Sequence, residues 1–146
     1  MVDILKTFDY FTVGFKGSFT KTVTEQDNVL FADISGDYNP IHFKDNVANS
    51  IGFKGAISNG FVTESRIAGA LVNTFGSDTT LVVALEKNTR FLNPVYMEDE
   101  ITATVEVVEQ IKSMQVLRIK AACYNQHNQR VVATNMLIKI VTLPLA

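Results

Sequence analysis

Ile34-Ser35-Gly36-Asp37-Tyr38-Asn39-Pro40-Ile41-His42 sets an acid and an imidazole five positions apart, with Gly36 ahead of them and Pro40 between them. Pro40 disfavours helix at Asn39, and Gly36 tolerates backbone angles that a side chain opposes. The spacing predicts a fixed, non-helical turn that aims Asp37 and His42 into one small space. An acid and an imidazole placed so can move a proton onto and off a water or a substrate.

Upstream, Val13–Val23 alternates and carries Phe15, Phe19 and Val23 on one parity, which reads as a strand. Thr24 with Asp27 three positions later reads as a helix N-cap. The helix so started spans Glu25–Ser35, takes Val29, Leu30, Phe31 and Ile34 as its apolar face, and stops at Gly36. Downstream, Asp45–Asn49 fits one short helical turn, and Gly52, Gly55 and Gly60 make the next nine residues a loop. Gly60–Phe75 is apolar over most of its surface, so a buried helix is expected there. Gly69 in its middle costs about 1 kcal/mol against Ala, a sign of close packing at that point. Beyond Gly76 the pattern is strand. Thr79–Leu85, continued by Thr89–Leu92, is followed by the alternating Ile101–Val108, then by Val116–Tyr124 and Arg130–Val141, four strands in all, the last two joined near Gln126–Gln129. One strand, a short helix, a loop, one long helix and a run of strands argue for α+β, an antiparallel sheet wrapped around one central helix.

With 146 residues, the chain reads as one domain, residues 1–146, large enough for a real core. A net charge of -2, with Lys and Arg scattered singly, argues against a nucleic-acid partner. One cysteine, Cys123, excludes an intrachain disulfide, and its apolar run marks it as a buried thiol. Two distant histidines and that cysteine predict no metal site. No window reaches the roughly 20 apolar residues of a membrane span, and Met1–Lys6 does not resemble a secretory leader. A cytoplasmic location is the expectation.

Phe31, Ile34, Ser35, Gly36, Asp37, Asn39, Pro40, Ile41, His42 and Ala48 occupy every defined position of a known signature. That signature is an aromatic, an aliphatic, a small residue, Gly-Asp-any-Asn-Pro-aliphatic-His, then Ala or Ser. On these residues the chain resembles the (R)-specific enoyl-CoA hydratases, also called hydratase 2 or MaoC-like dehydratases. Phe53–Phe61 is similar to the family's loop into its central helix, with Asn59 where the family usually has His. Arg90–Tyr96 with Asp99 is similar to a later family segment, with Glu98 in place of the usual Gly. The resemblance covers about Val13–Val141 and implies a hot-dog fold.

It also implies an activity and a set of roles. In relatives the Asp and His hold one water, which adds to the C2=C3 bond of a trans-2-enoyl thioester. Carried over, Asp37 and His42 are the catalytic pair, one taking a proton from water while the other helps deliver one to C2. A carboxyl acting as the acid needs a pKa raised by burial, for which Ile34 and Ile41 are the candidate neighbours. The Gly60 N–H, at the helix start, is the expected oxyanion donor. Asn39 is expected to fix the turn or the water. Asn59 is either a polar prop standing in for the histidine or the mark of a subgroup with altered activity. The acyl tail is expected to run along the helix past Ser65, Ala68 and Gly69, with Ala68 the residue facing it. No cofactor is implied. The partners implied are an acyl-CoA or other acyl-thioester substrate and, because five strands leave an open sheet edge, a second copy in a homodimer.

Alone, Asp37 would read as a turn-capping acid and His42 as a satisfied histidine. Within the signature, both read as catalytic. His127 reads as solvated, and Asp45, Asp99 and Glu100 as turn or cap residues. Ser58 and Ser65 lack the surroundings of a nucleophile elbow. Two other functions fit the same fold: an acyl thioesterase, which generally lacks the Asp-any-Asn-Pro-aliphatic-His run, and a non-catalytic acyl-thioester binding module, suggested by Asn59 and Glu98.

Overall fold

The computed structural model describes residues 6–144. The reading of Met1–Lys6 as no leader falls, but for Lys6, outside the described residues. Three helices, α1 (Glu25–Ser35), α2 (Asp45–Ser50) and α3 (Gly60–Phe75), precede most of the sheet. The strands are β1 (Lys16–Thr22), β2 (Thr80–Phe91), β3 (Glu100–Ile111), β4 (Val116–Tyr124) and β5 (Arg130–Thr142). They form one antiparallel sheet in the order β1-β3-β4-β5-β2.

Period-two alternation builds the face that meets α3. Ile101, Ala103, Val105 and Val107 of β3 point inward, as do Leu117, Ile119, Ala121 and Cys123 of β4 and Val132, Met136, Ile138 and Ile140 of β5. All are buried. Each large aliphatic side chain so placed stabilises the fold by about 1.5–3 kcal/mol. Phe11, Phe15 and Phe75 pack edge to face or tilted at the C-terminal end of α3 and close the core there. At Gly69 a Cβ would stand 2.8 Å from the Phe19 ring, so β1 lies against α3 where close packing was expected.

Local sequence sets both ends of α1. The Thr24 hydroxyl accepts from the Asp27 N–H, and the Asp27 carboxylate accepts from the Thr24 N–H, a reciprocal capping box. Gly36 ends the helix with φ 80°, in the left-handed region that glycine enters without strain.

Three expectations change. The face of α1 turned inward carries Asn28 and Ala32, while Val29, Leu30 and above all Ile34, at 83% exposure, face outward. Helix α3 is not buried all round: Phe61, Ser65, Ala68 and Val72, spaced 4, 3 and 4 apart, form one exposed stripe. Thr79–Leu85 and its continuation Thr89–Leu92 do form one strand, β2, with a register shift between Ala84 and Glu86. The turn after Asn39 is not free of helix, because Pro40–His42 forms one 3-10 turn. Proline suits the first position of such a turn, where its missing N–H has no partner to lose.

Among the described residues strand β2 pairs only with β5, which leaves its outer edge open there, and Leu81, Val83 and Leu85 on this strand are exposed. Glu98 has φ 70°, a left-handed conformation that costs a side-chain-bearing residue about 1–2 kcal/mol. Asp99 closes that turn by accepting from the Tyr96 N–H at 2.9 Å. Asp45 accepts from the Ala56 N–H at 2.8 Å and so ties the glycine loop to α2. Burial pushes the Cys123 thiol up to about 12, with Glu64 adding to the effect, so the thiolate is scarce at neutral pH. Among the described residues no helix is long and apolar enough to cross a membrane.

Candidate active site

Gly36 turns the chain out of α1 and delivers Asp37 over the start of α3. The Asp37 N–H donates to Ser35 Oγ at 3.1 Å, and Asp37 Oδ1 accepts from the Asn39 N–H at 3.1 Å. Asn39 Oδ1 in turn accepts from the Ile41 N–H at 3.4 Å and caps the 3-10 turn that ends at His42. These short polar links fix Asp37 and His42 relative to each other with little help from apolar packing. Asn39 is exposed and serves the turn.

His42 Nδ1 lies 2.9 Å from the Ile57 carbonyl oxygen. A carbonyl only accepts, so in the neutral ring Nδ1 carries the proton and Nε2 keeps its lone pair. Asp37 Oδ2 accepts from Asn59 Nδ2 at 2.8 Å. The Asn39 N–H first and the Asn59 amide second hold the Asp37 carboxyl below its ordinary value of 3.8; slight burial opposes them and His42 assists. This corrects the expectation of a carboxyl raised by apolar neighbours. Ile34 points into solvent, and the groups that do touch Asp37 donate hydrogen bonds to its charged form.

Asn59 has two jobs. Its Oδ1 accepts from the Phe61 N–H at 2.9 Å and caps α3, while its Nδ2 holds Asp37. Asn59 O accepts from the Val62 and Thr63 N–H groups at 3.0 and 3.2 Å. The Gly60 N–H is thereby left without a partner among the described residues, at the positive end of a 16-residue helix. A side chain at position 60 would stand 2.8 Å from the Phe91 ring, so glycine is what lets Phe91 pack here.

Asp37, His42, Asn59 and Gly60 meet at one cleft of about 460 Å³, walled by Phe53, Ile57, Phe61, Phe91, Val131 and Val132. Asn39 and Ala68 do not line it. Ala68 lies on the exposed stripe of α3, seven residues beyond Phe61.

Sequence reasoning missed Asn28. It is 2% exposed, donates through Nδ2 to the carbonyls of His42 at 3.2 Å and Ile57 at 3.4 Å, and accepts through Oδ1 from the Asn59 N–H at 3.0 Å. One amide therefore ties α1, the His42 turn and the entrance to α3 together. The only trace in the sequence is a polar residue four positions from Ala32, on what proves to be the inner face of α1.

A sheet curled round one helix, with an acid and an imidazole facing a free N–H at that helix's start, defines a hot-dog domain with a polar cleft at the head of its central helix. Residues 13–129 match the MaoC like domain, and the chain belongs to this MaoC-like dehydratase family. An (R)-specific enoyl-CoA hydratase of Rhodospirillum rubrum is 29% identical over 120 residues, covering 82% of this chain and 82% of that protein. A mitochondrial 3-hydroxyacyl-acyl-carrier-protein dehydratase of Arabidopsis thaliana is 26% identical over 115 residues, covering 77% of this chain and 67% of that one. Among solved structures, unliganded R-hydratase PhaJ1 from Pseudomonas aeruginosa superposes with a TM-score of 0.80 at 28% identity, covering 97% of this chain and 92% of that one. The (R)-hydratase from A. caviae, involved in PHA biosynthesis, gives 0.80 at 26% identity, with 91% and 97% covered. The hot-dog fold expected from the resemblance is borne out.

Proposed function

We propose that the chain is a hydro-lyase that adds water to trans-2-enoyl thioesters to give (R)-3-hydroxyacyl thioesters, and catalyses the reverse dehydration. The observation that carries this reading is the convergence of Asp37 Oδ, the free His42 Nε2 and the unpartnered Gly60 N–H on one cleft. A water between the two acceptors donates one hydrogen bond to each. His42 Nε2 takes a proton as the water oxygen bonds to C3. The C2=C3 pair shifts toward C1, and charge collects on the thioester oxygen beside the Gly60 N–H. The imidazolium then returns the proton to C2, so that water has added across the double bond. Asp37, held as a carboxylate, orients the water and steadies the imidazolium. The R-stereochemistry is inferred from the relatives named above.

The open β2 edge with Leu81, Val83 and Leu85, and the exposed stripe of α3, favour a homodimer built edge to edge. Within such a dimer the acyl tail would leave the cleft past Phe61 and pass Ala68 beneath the second copy. Ala68→Leu should then lower turnover of long enoyl chains and spare crotonyl-CoA; equal losses on both would exclude that route. Loss of enoyl absorbance on incubation with crotonyl-CoA tests the activity itself. Release of free CoA instead would identify a thioesterase, and binding without turnover an acyl-thioester module.

A further inference from the structure

Thr63 stands one turn into α3, is 1% exposed and lines the floor of the cleft. Its hydroxyl has no hydrogen-bond partner among the described residues. Buried hydroxyls in helices ordinarily donate to the carbonyl four residues back. Here that carbonyl belongs to Asn59, and it already accepts from the Val62 N–H, the Thr63 N–H and the Ser58 hydroxyl. Val95, Val131 and Val132, which line the same cleft, offer only apolar side chains. A buried hydroxyl left so costs stability and is retained where something else fills its need.

The helix geometry says what that is. Thr63 follows Gly60 by three residues, so it lies on the same side of α3 and about 4.5 Å further along its axis. The Cα–Cβ bonds of a helix tilt toward its N-terminus, which carries the Thr63 side chain back toward the Gly60 turn. A hydroxyl so placed is within reach of the part of the cleft that the Gly60 N–H borders. We propose that Thr63 is a catalytic residue: its hydroxyl is the second donor, with the Gly60 N–H, to the thioester oxygen of the substrate. The proposal rests on the hydro-lyase reading for its substrate class. Thr63 keeps its own proton throughout and only donates a hydrogen bond, which strengthens as the oxygen gains charge.

The test uses Thr63→Val, which keeps the shape and removes the hydroxyl, and Thr63→Ser, which restores it. With crotonyl-CoA, Thr63→Val should lower kcat on the order of 10²-fold with KM little changed, as loss of one oxyanion donor does. Thr63→Ser should recover most of the rate. The Tm of Thr63→Val should stay level or rise, because a buried unpartnered hydroxyl has been removed. A second readout needs no turnover: acetoacetyl-CoA bound at such a site shifts toward its enolate, seen in the near-ultraviolet, and Thr63→Val should lose that shift. If Thr63→Val hydrates crotonyl-CoA within about twofold of the parent, or keeps the enolate signal, the proposal is overturned. A loss of rate accompanied by a lower Tm and not recovered by serine also overturns it, since the hydroxyl would then be structural. A parent protein that leaves crotonyl-CoA untouched but binds the enolate in a Thr63-dependent way sinks the hydro-lyase reading and keeps the donor. A parent that does neither sinks both.

Discussion

Strand β3 sends Ile101, Ala103, Val105 and Val107 into the core by simple alternation, and each gains its place from many apolar neighbours. Residues 37–59 are organised by different means: two buried asparagines, Asn28 and Asn59, span from α1 to the His42 turn and to the head of α3. In the sheet, the loss of one contact is shared among the rest. In the loop, a few hydrogen bonds, those of the two amides and of His42 with Ile57 among them, link segments far apart in the chain. Stability is thus concentrated in one region and the geometry of the candidate site in the other, and substitutions should separate the two.

The largest effect is expected at the pair itself. Asp37→Asn and His42→Ala should each lower hydration of crotonyl-CoA by about 10²–10⁴-fold while circular dichroism reports an intact fold. Near-normal turnover in either folded variant would remove the water-sharing pair. The core should behave in the opposite way. Ile119 is fully buried, and Ile119→Ala should cost about 2–5 kcal/mol in denaturant unfolding while activity per folded molecule stays level. Asn28→Ala strips partners from the His42 turn and the Asn59 N–H. It is expected to cost about 1–3 kcal/mol and also to lower activity per folded molecule. If it cost stability alone, the contrast between the two regions would fail.

Smaller effects sharpen the same contrast. The folded Asp37 carboxyl titrates below its ordinary 3.8, so its contribution to stability is complete above that value and fades as pH falls through the lower, folded one. The stability difference between the parent and Asp37→Asn should therefore be level from neutral pH down to about pH 5 and shrink only below about pH 4. A difference that already narrows between pH 7 and 5 would contradict the hydrogen bonds assigned to Asp37. Glu98→Gly should stabilise by up to about 1 kcal/mol, since glycine accepts φ 70° without strain. A loss of stability on that change would mean that Glu98 makes a contact of its own.

What the sequence discloses follows this same division. Helix α1 was legible to the residue because its limits are local: Thr24 and Asp27 three apart, and Gly36 at the end. Which side of α1 faces inward was not legible. Its apolar residues crowd onto one arc, yet the loop beneath it needs a hydrogen-bonding group, and Asn28 displaced Val29 and Leu30 from the interior. Strand β2 was legible as one strand from its two apolar runs, but the register shift between Ala84 and Glu86 was not. Asp37 and His42 stood out through residue type and spacing, while their roles and that of Gly60 came with the family resemblance. The bond from Asn59 to Asp37 spans 22 positions, and no local pattern encodes it.

Asn59 followed by Gly60 carries a further consequence, one of ageing. An asparagine before glycine is the pair most prone to deamidation, because the unhindered glycine nitrogen attacks the side-chain carbonyl and closes a succinimide ring. In the folded chain that carbonyl is 4% exposed with its residue and engaged by the Phe61 N–H, which holds it away from ring closure. Each opening of the loop releases it. The aspartate that follows hydrolysis of the ring would set a second carboxylate against Asp37, where a donor had been. The cleft thus has a chemical lifetime set by how often its own cap comes undone.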